Sequence, residues 1–163
     1  MTSNAPVSHK QEAQKLTADA EIDLFTVTLK NLDVVFRFKN DNDVTWLGKK
    51  FEGMASRMTG DTQSADGEES RPTLQIMNPL GIFNAAAVKG QLDQAVVRRQ
   101  RVLQKHVTNN TNIFTQRMWR ISRVRELISG QSITFELRNM TEGANFQIPV
   151  RMFTPPEFPM VSL

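Results

Sequence analysis

Cysteine and tyrosine are absent from the 163 residues, and histidine occurs only at His9 and His106. Without a thiol the chain can build no disulfide scaffold, thiolate metal site, thiol-ligated iron–sulfur cluster or cysteine nucleophile. Two histidines leave almost no room for a multi-histidine zinc site, so no metal or other cofactor is expected. No run approaches the ~18 apolar residues of a membrane-spanning helix, so no membrane partner is expected either. The start, Met1-Thr2-Ser3-Asn4-Ala5-Pro6, has no charged segment followed by an apolar one. It does not read as a signal peptide, and cytoplasmic synthesis is the expectation. A large charge of one sign is also missing: 20 basic and 17 acidic residues leave a net of +3. That balance does not by itself point to nucleic acid.

What is present suits one domain with tails. Ten phenylalanines and two tryptophans supply a core. Residues 1–20 read as a polar arm and a marginal helix over 9–19, with Ser8 as its cap. From Glu21 the apolar period changes to two. Residues 22–30 carry Ile22 and Leu24 on one parity and Phe25, Val27 and Leu29 on the other, so both faces are partly covered. Residues 34–39 alternate, with Val34, Phe36 and Phe38 inward and Arg37 and Lys39 outward. Residues 44–46 and 50–52 flank Leu47-Gly48-Lys49 as a second hairpin, and 53–59 are open to a further strand. Residues 60–71 hold four acids and no aliphatic side chain larger than alanine, a solvated loop. Pro72 opens a strand over 73–77, a helical pattern follows at 80–92 with Gly90 as its stop, and 131–138 alternate again. Phe36, Phe38, Leu74, Ile76, Ile133, Phe135 and Leu137 should share one core. The expected fold is mainly β (α+β): an antiparallel meander of roughly seven to nine strands over residues 21–140. One helix precedes it, one short helix lies inside it, and residues 141–163 form an extended proline-rich tail.

Catalytic and metal motifs are thin. Asp41, Asp43 and Glu52 match positions of a calcium loop, but Trp46 stands where that loop needs glycine. His9 and His106 look neither buried nor pre-organised for work beside a serine. Asp61, Asp66, Glu68 and Glu69 lie in a loop, which does not hold two carboxylates at a fixed spacing. There is no phosphate-binding glycine loop. The chain is read as a non-enzyme.

One asymmetry stands out. Residues 95–125 contain eight of the 20 basic side chains and no acid, leaving 12 basic against 17 acidic residues elsewhere, a net of −5. The segment reads as a long hairpin with its tip around 106–113. Its candidate interface residues are Arg98, Arg99, Arg101, Arg117, Trp119, Arg120 and Arg123. Three uses are open: a nucleic-acid ribbon with Trp119 as stacking partner, a strand pair that docks on acidic neighbours, or a solvated arginine-rich face. Arginine enrichment with few aromatics favours docking, and nucleic acid is the less favoured partner. Both strand parities carry arginine, so some must lie near the apolar face. There a neighbour would supply carboxylates and cover Val97, Trp119 and Ile121.

Several stretches also occur in a telling order: Glu21-Ile22-Asp23-Leu24, then Val44-Thr45-Trp46 with Gly48, then Arg71-Pro72-Thr73-Leu74 followed by Asn78. Val96-Val97-Arg98-Arg99, Trp119-Arg120-Ile121 and the Ser132, Phe135, Leu137 run complete it. In this order the chain resembles the minor tail protein L family of long-tailed bacteriophages over about residues 9–153. The resemblance implies a structural virion protein of the tail tip or baseplate, assembled in the host cytoplasm. It further implies a β-rich hub-type tail domain and a homo-oligomeric ring, a trimer. The implied partners are a central hub protein and a distal tail ring protein. Better-known members continue into a cysteine-rich domain that holds an iron–sulfur cluster. This chain has no cysteine and reads as a short form without it.

Overall fold

The computed structural model describes residues 6–13, 15, 19–30, 34–61 and 71–140. The expected proline-rich tail, the first residues of the arm and most of the acidic loop lie outside the described residues. Nine strands form one open, mixed sheet: β1 (Glu21–Thr28), β2 (Val35–Lys39), β3 (Val44–Trp46), β4 (Lys49–Gly53), β5 (Ser56–Thr59), β6 (Thr73–Met77), β7 (Val96–Leu103), β8 (Thr115–Ile128) and β9 (Ser132–Asn139). Their spatial order is β3-β4-β2-β1-β7-β8-β9-β6-β5. The mainly-β expectation holds, but the simple antiparallel meander does not. Only β7-β8-β9 runs in sequence order over three strands, β2 and β4 pair in parallel, and β7 lies against β1. Alternation tells which side chains point inward; it does not tell which strand lies alongside.

The sheet curls around its inner face. The Met54 N–H donates to the Lys39 carbonyl on β2 (2.8 Å), and the Met77 N–H on β6 donates to the Ala55 carbonyl (2.8 Å). Two consecutive residues between β4 and β5 thus hydrogen-bond to strands from opposite sides of the sheet. The enclosed core includes Phe25, Val27, Phe38, Leu74, Ile76, Val97, Trp119, Ile121, Ile133, Phe135 and Leu137, with Phe36 packed against it. The expected shared core is therefore present. Leu24, Val102, Trp46 and Phe51 form a smaller cluster on the outer face, where the β3–β4 hairpin folds over. This is the two-sided cover that the double parity of β1 called for. Two expectations fail here: Val34, expected inward, precedes β2 and is 43% exposed, and Lys39, expected outward, is 8% exposed with its ammonium donating to the Asn42 carbonyl at 2.8 Å.

Three short helices complete the described residues: α1 (Val7–Glu12), α2 (Asn84–Val88) and α3 (Gln104–Thr108). α1 starts earlier than expected and has no side-chain cap; its Ser8 hydroxyl sits instead 3.3 Å from His106 Nε2. The internal helix is shorter than the 80–92 pattern because Gly81 and Gly90, both at positive φ, bound it. It still delivers Phe83 and Ala86 to the core. α3 occupies what reads in sequence as a bare hairpin tip. Asn78, fully buried, ties β6 to α2 through its side-chain amide donating to Asn84 Oδ1 at 2.9 Å.

Candidate interaction surface

The register of β7 on β8 sorts the predicted arginines. Val97 lies opposite Trp119, Arg99 opposite Arg117 and Arg101 opposite Thr115; Arg98 lies opposite Met118 and Val96 opposite Arg120. Because successive side chains alternate faces, Arg99, Arg101 and Arg117 share the inner face with Val97 and Trp119. Arg98 and Arg120 share the outer one.

The inner arginines are satisfied within the monomer. Arg99, 7% exposed, sits 5.4 Å from the Trp119 ring centroid and binds the Asp61 carboxylate. Arg117 Nη1 donates to Asp61 Oδ1 at 2.9 Å and to the Asp61 carbonyl at 3.2 Å. Arg101 grips Asp23 with Nε at 2.9 Å and Nη2 at 3.2 Å, with Glu21 at 3.5 Å. The Asp23 carboxylate beside it, with some help from Glu21 and Asp61 against the cost of burial, raises the Arg101 pKa still further. Glu21, Asp61, Arg99, Arg101 and Arg117, with His9 and Lys10, line an open pocket of about 670 Å³. Trp119 is 3% exposed, and Val97 and Ile121 are fully buried. These apolar groups need no neighbour to cover them, because the curled sheet and α2 already do. Trp119 therefore presents no ring for base stacking, and Arg99 no free cation for a partner.

The outer face differs. Arg98 and Arg120 have no ion pair or hydrogen-bond partner among the described residues. Thr26 on β1 lies opposite both Arg98 and Arg37 of β2, and Arg138 of β9 lies opposite Arg120. Among the described residues Arg37 is also unpaired, and Arg138 meets only the side-chain carbonyl of Gln94. Four guanidinium groups from four strands thus converge on one face. Arg123 joins the same face although parity alone would send it inward. Arg120 lies opposite Arg138 in unbroken register, and the register shift in β8 after Ile121 then places Arg123 opposite Glu136. Arg123 is closed off by Glu136, at 2.9 Å from Nε and 2.8 Å from Nη2, and Arg71 reaches the same carboxylate at 3.3 Å. Those two arginines hold the Glu136 pKa below the ordinary value. Arg37 and Arg138 lie outside the basic hairpin of residues 95–125. Their outward parity is readable in sequence, but their place beside the hairpin follows only from strand order.

His9 and His106 are buried, contrary to expectation: 7% and 8% exposed, with ring centroids 6.1 Å apart. His106 Nδ1 lies 2.9 Å from Thr111 Oγ1, while neither ring nitrogen of His9 has a partner. Burial chiefly, with the nearby Lys105 and His9 charges, lowers the His106 pKa below 6.5. Glu12 binds Lys105 and, at 2.7 Å, Lys15, and its pKa falls to about 2. The Ser8–His106 contact continues to a threonine rather than to a carboxylate. Among the described residues no three His, Asp or Glu side chains gather as a metal site. The calcium-loop carboxylate Asp43 instead accepts the Gly53 N–H at 2.7 Å and pairs with Lys50 at 3.0 Å.

Comparison with protein-family models and with curated proteins finds no match for this chain.

Proposed function

We propose that the chain is a structural subunit of a bacteriophage tail tip, with a hub-type tail domain that joins a tail tube to a central hub. The observation that supports a role in assembly is the division of its arginines. Those on the inner face are neutralised by Asp61, Asp23 and Glu21. Those of the outer patch, Arg37, Arg98, Arg120 and Arg138, are left without counter-charges among the described residues, on the other face of the sheet. Partner docking uses such surfaces, since charge complementarity steers encounter and fixes register. The tail-tip setting rests on the ordered resemblance to minor tail protein L. Its segments fall on or beside β1, the β3–β4 hairpin, β6, β7, β8 and β9, strands that contribute to the two clusters. In this function the chain assembles as a homo-oligomeric ring, a trimer, beside a central hub and a distal tail ring protein. It needs no cofactor and acts on no substrate.

Electron microscopy of tails carrying a tagged chain tests this. Label confined to the tip is the expected result, and label along the tube or none in the particle overturns it. The competing use of the same arginines, binding a nucleic acid, predicts a DNA affinity that falls steeply with salt. The burial of Trp119 removes the aromatic platform that use would draw on.

A further inference from the structure

We propose that the patch of Arg37, Arg98, Arg120 and Arg138 is a docking surface for a carboxylate-bearing strand or loop of a neighbouring protein subunit. The inference rests on the assembly function above in taking the partner to be a protein, and it names the surface and the chemistry of that partner. The four side chains project from β2, β7, β8 and β9 on one face, linked across the sheet by Thr26 and Met118. At a strand spacing of ~4.8 Å, the width from β2 to β9 is roughly 19 Å, the reach of a short extended segment. Like charges opposed across strands repel, as Arg120 and Arg138 do here, so the free monomer carries an unfavourable arrangement that an anion relieves. Two of the donors are already removed from water without an acceptor, Nε of Arg120 and Nε of Arg138. Leaving a buried charged donor unsatisfied is costly, and a carboxylate drawing the guanidinium into a two-bond fork offsets it.

Several features select a protein carboxylate over the phosphates of a nucleic acid. The planar forks of an all-arginine patch match carboxylate and phosphate alike, so the choice is made by what surrounds them. Met118, 39% exposed, sits in its middle as an apolar contact. The one tryptophan of the hairpin faces the other way. Glu136 and Glu126 lie on the same face just beyond the patch, so a continuous polyanion crossing it would meet carboxylates while a short acidic segment would not.

The test measures binding of the full chain to a labelled dodecapeptide of alternating glutamate and serine, and to a twelve-base-pair duplex, by fluorescence anisotropy at low and physiological salt. The expected result is peptide binding that weakens at least tenfold in Arg98→Gln/Arg120→Gln. It should change less than twofold in Lys49→Gln/Lys89→Gln, which removes the same charge at exposed sites off the patch. Arg37→Gln/Arg98→Gln repeats the measurement should the first variant lose its cooperative thermal transition. Absence of peptide binding, equal losses in patch and control variants, or tighter binding to the duplex overturns the proposal. Electron microscopy of tails separates this from the broader function. A patch variant that still enters the tail tip sinks the docking surface and leaves the tail-tip function standing. Patch-dependent peptide binding by a chain that never enters tails does the reverse.

Discussion

At the scale of single residues, the consequences of each contact can be stated with a sign. Gly53 has the Asp41 carbonyl oxygen 2.2 Å from the position a Cβ would take. Gly53→Ala must therefore displace the turn before β3, and denaturant unfolding should show a loss of about 1–3 kcal/mol. Phe135 is fully buried among aromatic and aliphatic neighbours, its ring 5.9 Å from that of Phe83. Phe135→Ala should cost about 3–5 kcal/mol by the same measurement. Among the described residues Asp61 is the one carboxylate serving both Arg99 and Arg117. Removing one member of a largely buried pair strands the other, so Asp61→Ala should destabilise the monomer by about 2 kcal/mol after allowance for the partial exposure of the site. The same contacts separate arginines that look alike in sequence. Arg99→Glu would face Asp61, and Arg101→Glu would face Asp23 and Glu21, so both should lower the thermal midpoint. Arg98→Glu and Arg120→Glu should shift it by no more than a few degrees.

At the scale of elements, α1 is held mostly by groups that titrate. It contributes His9, stacked on His106 of α3, and Glu12, which grips Lys105; Asp19 accepts the Lys105 N–H at 2.9 Å, and Lys10 lies on the exposed side. The folded His106 pKa is lowered below 6.5, so the unfolded chain binds the proton more readily. Stability from this group is complete above about pH 6.5 and is lost as pH falls through the lowered folded value. Glu12, lowered from 4.5 to about 2, adds stability that is present above pH 4.5 and disappears toward pH 2. Amide exchange in α1 and α3 should therefore speed up in two steps on acidification. In His106→Gln the upper step should vanish while the lower one remains. A single step near pH 4, unchanged by that substitution, would show that the imidazole pair does not govern docking.

At the scale of the whole molecule, the isolated chain should be a folded species that self-associates weakly at micromolar concentration, because exposed ion pairs contribute little in water. Light scattering checks this, and a stable trimer without partners would contradict it. Much of the architecture is written in the chain itself. The alternation in residues 34–39, 73–77 and 131–138 determined which side chains enter the core. Leu47-Gly48-Lys49 determined a hairpin, realised as a two-residue turn with Leu47 and Gly48 at positive φ and Lys49 already in β4. These are local properties of a pleated strand and a two-residue turn, so a few residues suffice to specify them. The outward direction of Arg37 and Arg138 belongs to the same class. Strand order, the parallel β2–β4 pair, the bulges in β8 that turn Arg123 outward and the burial of both histidines belong to the other. They depend on pairings between residues tens of positions apart, whose energies come from contacts no local pattern encodes. The sequence alone determined that this chain carries a basic hairpin. Only the tertiary structure decided which of its arginines are neutralised inside and which meet two from other strands on an open face, because that depends on the neighbours each strand acquires when the sheet closes around its core.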